Sequence, residues 1–126
     1  MSAHTLGSNP SEIAAQYVGI WNESDPARRR ELIERVFTGQ ARYLDPLMQS
    51  DGHDGLDAMI AAAQAQFAGL RFSVSGKPDG HHEVVRFSWA LGTGDAEPLA
   101  CGTDIAVLAA DGRIECVTGF IDKMPS

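Results

Sequence analysis

Long apolar runs, basic charge and cysteine are all scarce in this 126-residue chain. No apolar stretch approaches the roughly 20 residues that span a bilayer. Met1-Ser2-Ala3-His4-Thr5-Leu6-Gly7 has neither the basic start nor the apolar core of a secretion signal, so a cytoplasmic protein without a membrane partner is expected. Lys and Arg number 10 against 17 Asp and Glu, a formal charge of -7. Such a surface repels phosphate backbones and argues against nucleic acid as a partner. The one basic cluster, Arg28-Arg29-Arg30, falls in an expected helix beside Glu31 and Glu34 and reads as a solvated face. Two cysteines, Cys101 and Cys116, lack the paired spacing of a metal site and are expected to be reduced and buried.

At this length the chain suits one domain with one core. Residues 1–9 are expected to form a flexible arm and residues 10–126 a single domain. Asn9-Pro10-Ser11-Glu12 reads as a helix start, with Asn9 as cap and Pro10 at the first helical position. Ile13, Tyr17, Ile20 and Trp21 follow at helical spacing. A second helix starts at Ser24-Asp25-Pro26, carries Leu32, Ile33, Val36 and Phe37, and is expected to stop at Gly39. Ala41 to Asp45 reads as a short strand ended by Pro46. A loop holding His53 then leads to a third helix, with Leu56, Met59, Ile60, Ala63 and Phe67 on one face and Gly69 at its end.

From Leu70 onward the pattern alternates. Leu70, Phe72 and Val74 share one strand face, residues 76–80 read as a turn, and Glu83 to Leu91 forms a strand with Val85, Phe87, Trp89 and Leu91 on one side. Leu99 to Ala109 and Arg113 to Ile121 flank Asp111-Gly112 as a hairpin. With those two as turn residues, Asp104 faces Gly119, Ala106 faces Val117 and Val107 faces Cys116. One face then holds Gly102, Asp104, Ala106, Val117, Gly119 and Ile121, and the other Thr103, Ile105, Val107, Cys116, Thr118 and Phe120. Both faces are largely apolar and the helices can cover only one, so a homodimer is expected to cover the other. Helices followed by a meander of strands define an α+β domain.

Asp104 sits mid-strand between apolar neighbours and opposite a glycine. A buried carboxyl needs a partner and is driven toward its neutral form, while the glycine leaves room for a ligand atom. The same acid also fits a structural role, bonded to a helix end or a tyrosine. Asp45 before Pro46 fits a turn or a base. Tyr17 fits the core or, through its hydroxyl, a pocket. Arg86 fits a surface ion pair, and His81-His82 a solvated pair beside the turn.

Together, Gln16-Tyr17-Val18, Leu44-Asp45-Pro46 and Thr103-Asp104-Ile105 before Asp111-Gly112-Arg113-Ile114 resemble the layout of ketosteroid isomerases. The closing Gly102-Thr103-Asp104 and Gly119-Phe120-Ile121-Asp122 resemble the ending of SnoaL-like proteins of the NTF2-like superfamily. The resemblance covers roughly residues 10–122. It implies a cone-shaped α+β fold, three helices packed on a curved, mostly antiparallel sheet around a pocket for a hydrophobic small molecule. It also implies Asp45 as the catalytic base, with Tyr17 and Asp104 donating hydrogen bonds to an enolate oxygen, and no metal or organic cofactor. Trp21, Tyr43, His53, Trp89 and Gly119 are the expected ligand-binding positions. Gly102 stands where epoxide hydrolases of this fold need an arginine, which argues against that chemistry. The expected function is proton transfer, by isomerisation or cyclisation, on a hydrophobic carbonyl compound. The alternatives are a non-catalytic pocket and a dimerising structural module.

Overall fold

The computed structural model describes residues 9–94 and 97–124; of the arm expected at residues 1–9, only Asn9 falls among them. Helices α1 (Pro10–Asn22), α2 (Pro26–Val36) and α3 (Gly52–Gln66) lie on a six-stranded sheet. Its strands are β1 (Phe37–Leu44), β2 (Gln49–Asp51), β3 (Arg71–His81), β4 (Val84–Gly92), β5 (Ala100–Leu108) and β6 (Ile114–Lys123), in the order β2-β1-β6-β5-β4-β3. All neighbouring pairs are antiparallel except β1 with β6, so this open, curved sheet is mixed. No helix among the described residues is long and apolar enough to cross a membrane.

Local chemistry accounts for the helix starts. Asn9 accepts the Glu12 N–H at 2.9 Å, and Asp25 accepts the Arg28 N–H at 2.9 Å. Each removes one of the unpaired donors of a helix N-terminus. The apolar stripe of α1 buries Ile13, Tyr17, Ile20 and Trp21 against β3 and β4, while Leu56, Ile60 and Ala63 of α3 meet β1. The core lies between the helices and one sheet face.

The strand pairing overrides several local signals. Helix α2 stops at Val36 rather than Gly39, because Phe37 already pairs with Ile114 of β6. Helix α3 starts at Gly52, so His53 belongs to its first turn and not to a loop; it ends at Gln66, before Gly69. Residues 76–80 are not the turn. Strand β3 runs through them by a bulge between Ser75 and Asp79, where Gly76 supplies a φ of 72°, and the chain reverses at His82 and Glu83.

The β5–β6 register is the expected one, with Asp104 opposite Gly119 and Val107 opposite Cys116. The turn that makes it differs. Gly112 N–H donates to Ala109 C=O at 2.9 Å and Ala109 pairs with Arg113, leaving three residues in the loop. Gly112 has a φ of 91°, and a bulge beyond Ile114 restores the register. Both cysteines are free and half-buried rather than fully buried.

The basic cluster divides. Arg28 and Arg30 are solvent-facing, but Arg29 is buried at 5% exposure. Its Nε donates to Asp57 at 2.7 Å, and one terminal nitrogen donates to the Glu23 carbonyl and to Gln64 Oε1, at 3.1 and 3.0 Å. Gln64 Nε2 in turn donates to the carbonyls of Trp21 and Glu23. The pair therefore satisfies the unpaired carbonyls where α1 ends and ties that helix to α2 and α3. Arg29→Ala should cost about 2–3 kcal/mol in urea unfolding, since it strands buried acceptors, whereas Arg28→Ala should cost less than about 0.5 kcal/mol.

Candidate functional site

Between α1, α3 and the sheet, a cavity of about 70 Å³ opens to solvent. Tyr17 and Trp21 reach it from α1, one helical turn apart, and Tyr43 and Asp45 from β1 and its end. Phe72, Trp89 and Asp104 reach it from β3, β4 and β5. Aromatic rings make a continuous belt: Tyr43 to Trp21 at 5.8 Å between centroids, Trp21 to Phe72 at 5.5 Å, and Phe72 to Trp89 at 5.7 Å.

Asp104 is 3% exposed. Trp89 Nε1 donates to its Oδ1 at 3.1 Å. Desolvation raises its pKa to about 6, and the Asp45 charge adds to the rise, against the pull of Tyr17 and Trp89 in the other direction. Gly119 makes room for it: a Cβ there would stand 2.8 Å from Asp104 Oδ1 and 3.3 Å from Asp45 Cβ. The two acids thus approach each other across a residue with no side chain.

Asp45 is tightly held. Its Oδ1 accepts the N–H groups of Leu47 and Met48, at 2.7 and 2.9 Å, and its Oδ2 accepts the Tyr43 hydroxyl at 2.5 Å. Burial raises the Tyr43 pKa, with the bond to Asp45 as a further cause. Tyr17 is different. It is 3% exposed, and its hydroxyl has no hydrogen-bond partner. Burial raises its pKa well above the ordinary value, with the Asp104 charge second and Tyr43 third. Asp104 and Tyr43 are thus near enough to act on this hydroxyl, yet neither completes a bond with it.

Of the expected positions, Tyr17, Trp21, Tyr43, Asp45, Trp89 and Asp104 converge on the cavity. Gly119 lies against the two acids rather than in the wall. His53 does not reach it: its Nε2 donates to the Phe37 carbonyl at 3.0 Å, at the junction of α2 and β1. Arg86 pairs with Asp79 on the surface, and His81 and His82 are exposed. Sequence reading missed Phe72, Leu47 and Met48 as wall residues. Phe72 shares its strand face with Leu70 and Val74, which does not tell core from cavity wall, and two apolar residues directly after Asp45-Pro46 are the available signal for a pocket rim.

Three helices closing a curved sheet over such a cavity define an NTF2-like fold. The chain is 47% identical to a candidate isomerase of the SnoaL-like family from Agrobacterium tumefaciens, over 87% of this chain and 94% of that one, at a TM-score of 0.83. It belongs to the SnoaL-like family. Two further structures share the fold at lower identity. A ketosteroid isomerase-like protein from Catenulispora acidiphila, in complex with trimethylamine, is 13% identical over 86% of this chain and 83% of that one, with a TM-score of 0.68. A candidate polyketide cyclase from Sinorhizobium meliloti is 14% identical over 89% and 99%, with a TM-score of 0.66. No family model and no curated protein matches the sequence.

The raised pKa of Asp104 links stability to pH. Between about pH 4 and pH 6 the folded chain keeps a proton that the unfolded chain has released, so stability falls as pH rises through that window. The full loss is about 3 kcal/mol. Asp104→Asn keeps an acceptor for Trp89 and removes the titration. It should therefore gain stability over wild type at pH 8 relative to pH 4 by an amount of that order, read from urea midpoints at both pH values.

Proposed function

We propose that the cavity binds a small apolar carbonyl compound and moves a proton beside its carbonyl. Asp45 takes the proton from the carbon next to the carbonyl through the remaining lone pair of Oδ2. Tyr17 and the protonated form of Asp104 donate to the oxygen that becomes an enolate, and return of the proton to another carbon completes an isomerisation. The observation that carries this reading is the Tyr17 hydroxyl, buried without a partner in the wall that also holds Asp104. A buried donor left unmade costs about 1–3 kcal/mol, and a substrate oxygen would satisfy it. The Agrobacterium candidate isomerase supports the same class of reaction. The complex of the Catenulispora protein with trimethylamine supports a small-molecule role for the cone.

One observation favours a second, non-catalytic reading. Asp45 already accepts three hydrogen bonds that hold its own turn. The two readings separate in a titration with a fluorescent phenol, which mimics a bound enolate. Wild type should bind it below pH 6 and lose affinity above, as Asp104 gives up its proton. Tyr17→Phe or Asp104→Ala should each weaken binding by more than about 1.4 kcal/mol, tenfold. Binding indifferent to both substitutions would leave a passive pocket.

The sheet face away from the helices supports a homodimer. Ile105, Val107 and Thr118 are half-buried there and Phe120 is 55% exposed. We propose that a second copy covers it. Sedimentation should give a dimer that Phe120→Asp converts to monomer; a wild-type monomer would refute this.

A further inference from the structure

We propose that the same cavity takes a small alkylammonium cation, seated between the Tyr43–Trp21–Phe72–Trp89 belt and the Asp45–Asp104 pair. The inference rests on the reading of the cavity as a small-molecule site and names a ligand class for it.

Three features point the same way. Aromatic faces attract cations through the ring quadrupole, most strongly when water is excluded, and four rings with neighbouring centroids 5.5–5.8 Å apart line this wall. Among the described residues no Lys, Arg or His lines the cavity, so its two carboxyls have no counter-charge in the wall. Arginines elsewhere are engaged with other acids, Arg29 with Asp57 and Arg113 with Asp111. The third feature is size. A cavity of about 70 Å³ is several times the roughly 10–15 Å³ that admits a single water, and so has room for a small molecule. A tri- or tetramethylammonium ion is of that size, and its methyl groups tolerate a wall of carbon where a bare ammonium would lose its hydration without replacement.

The acid pair gives this ligand its sign preference. Asp45 and Asp104 approach across Gly119, and the Asp45 charge resists ionisation of Asp104. A cation in the cavity beside the pair offsets that repulsion. The groups facing Asp104 are Tyr17 from α1, Tyr43 and Asp45 from β1 and its end, Trp89 from β4, and Gly119 from β6. Tyr17 and Tyr43 have raised pKa values and keep their protons near neutrality, so around pH 6 the local charge changes at Asp104. Protonated, the site suits an enolate-like oxygen; ionised, it suits a cation.

The experiment is a chemical-shift titration by NMR with tetramethylammonium chloride, at constant ionic strength, against neutral tert-butanol of similar shape. At pH 8 the cation should bind wild type at least tenfold more tightly than tert-butanol. At pH 5, where about one-tenth of Asp104 remains ionised, cation affinity should fall about tenfold while that of tert-butanol holds. Asp104→Asn should give the weak affinity at both pH values. Equal affinity for cation and alcohol at pH 8, or a cation affinity that ignores pH in wild type, overturns the proposal. If the fluorescent phenol binds and the cation does not, the ligand class falls while the proton-transfer site stands. If the cation binds with this pH dependence and the phenol does not, the reverse holds.

Discussion

A carboxyl group buried mid-sheet is the constraint from which the rest of the site follows. Asp104 fits only because its cross-strand partner is Gly119 and because Trp89, on the neighbouring strand, turns its indole N–H onto it. Burial raises its pKa to about 6, which extends the pH range of the neutral form, the one able to donate. The second acid, Asp45, is brought up to the same glycine by β1, which pairs in parallel with β6 on the side opposite β5. The strand order, with β6 between β1 and β5, thus brings the two carboxyls to Gly119 from its two sides.

The helices enter by a different route. Tyr17 and Trp21 are aimed by α1, and α1 is held at its C-terminal end by Arg29 and Gln64. That clamp lies away from the cavity wall, yet it fixes the helix from which the unpaired hydroxyl projects. A charged side chain taken from solvent is tolerated there because each of its bonds ends on a group that would otherwise lack a partner.

Much of this was legible in the sequence. The caps at Asn9 and Asp25, the α1 stripe and the alternation in β5 and β6 are local signals, and the structure agrees with them. The pairing of Asp104 with Gly119 was also readable, even though the turn holds three residues and not two, because the bulge beyond Ile114 cancels the difference. Non-local effects were not readable. Nothing in Arg28-Arg29-Arg30 marks the middle residue for burial; its partners Asp57 and Gln64 lie on another helix. The residues 76–80 carry every mark of a turn, yet pairing with β4 draws them into a bulged strand. His53 reads as a loop residue in the sequence, and the early start of α3 turns it toward Phe37.

Gly102, like Gly119, is a buried sheet glycine whose missing side chain leaves space that another group fills. A Cβ on it would stand 2.5 Å from the Trp89 ring and also meet the Phe120 carbonyl. The two positions are therefore not independent in sequence space. An arginine at 102, the residue that epoxide chemistry on this fold calls for, has no room while Trp89 stands, and replacing Trp89 first releases the indole donor that Asp104 uses. Residue 102 is therefore coupled to the buried acid through the indole: enlarging one side chain displaces the ring on which the other's hydrogen bond depends.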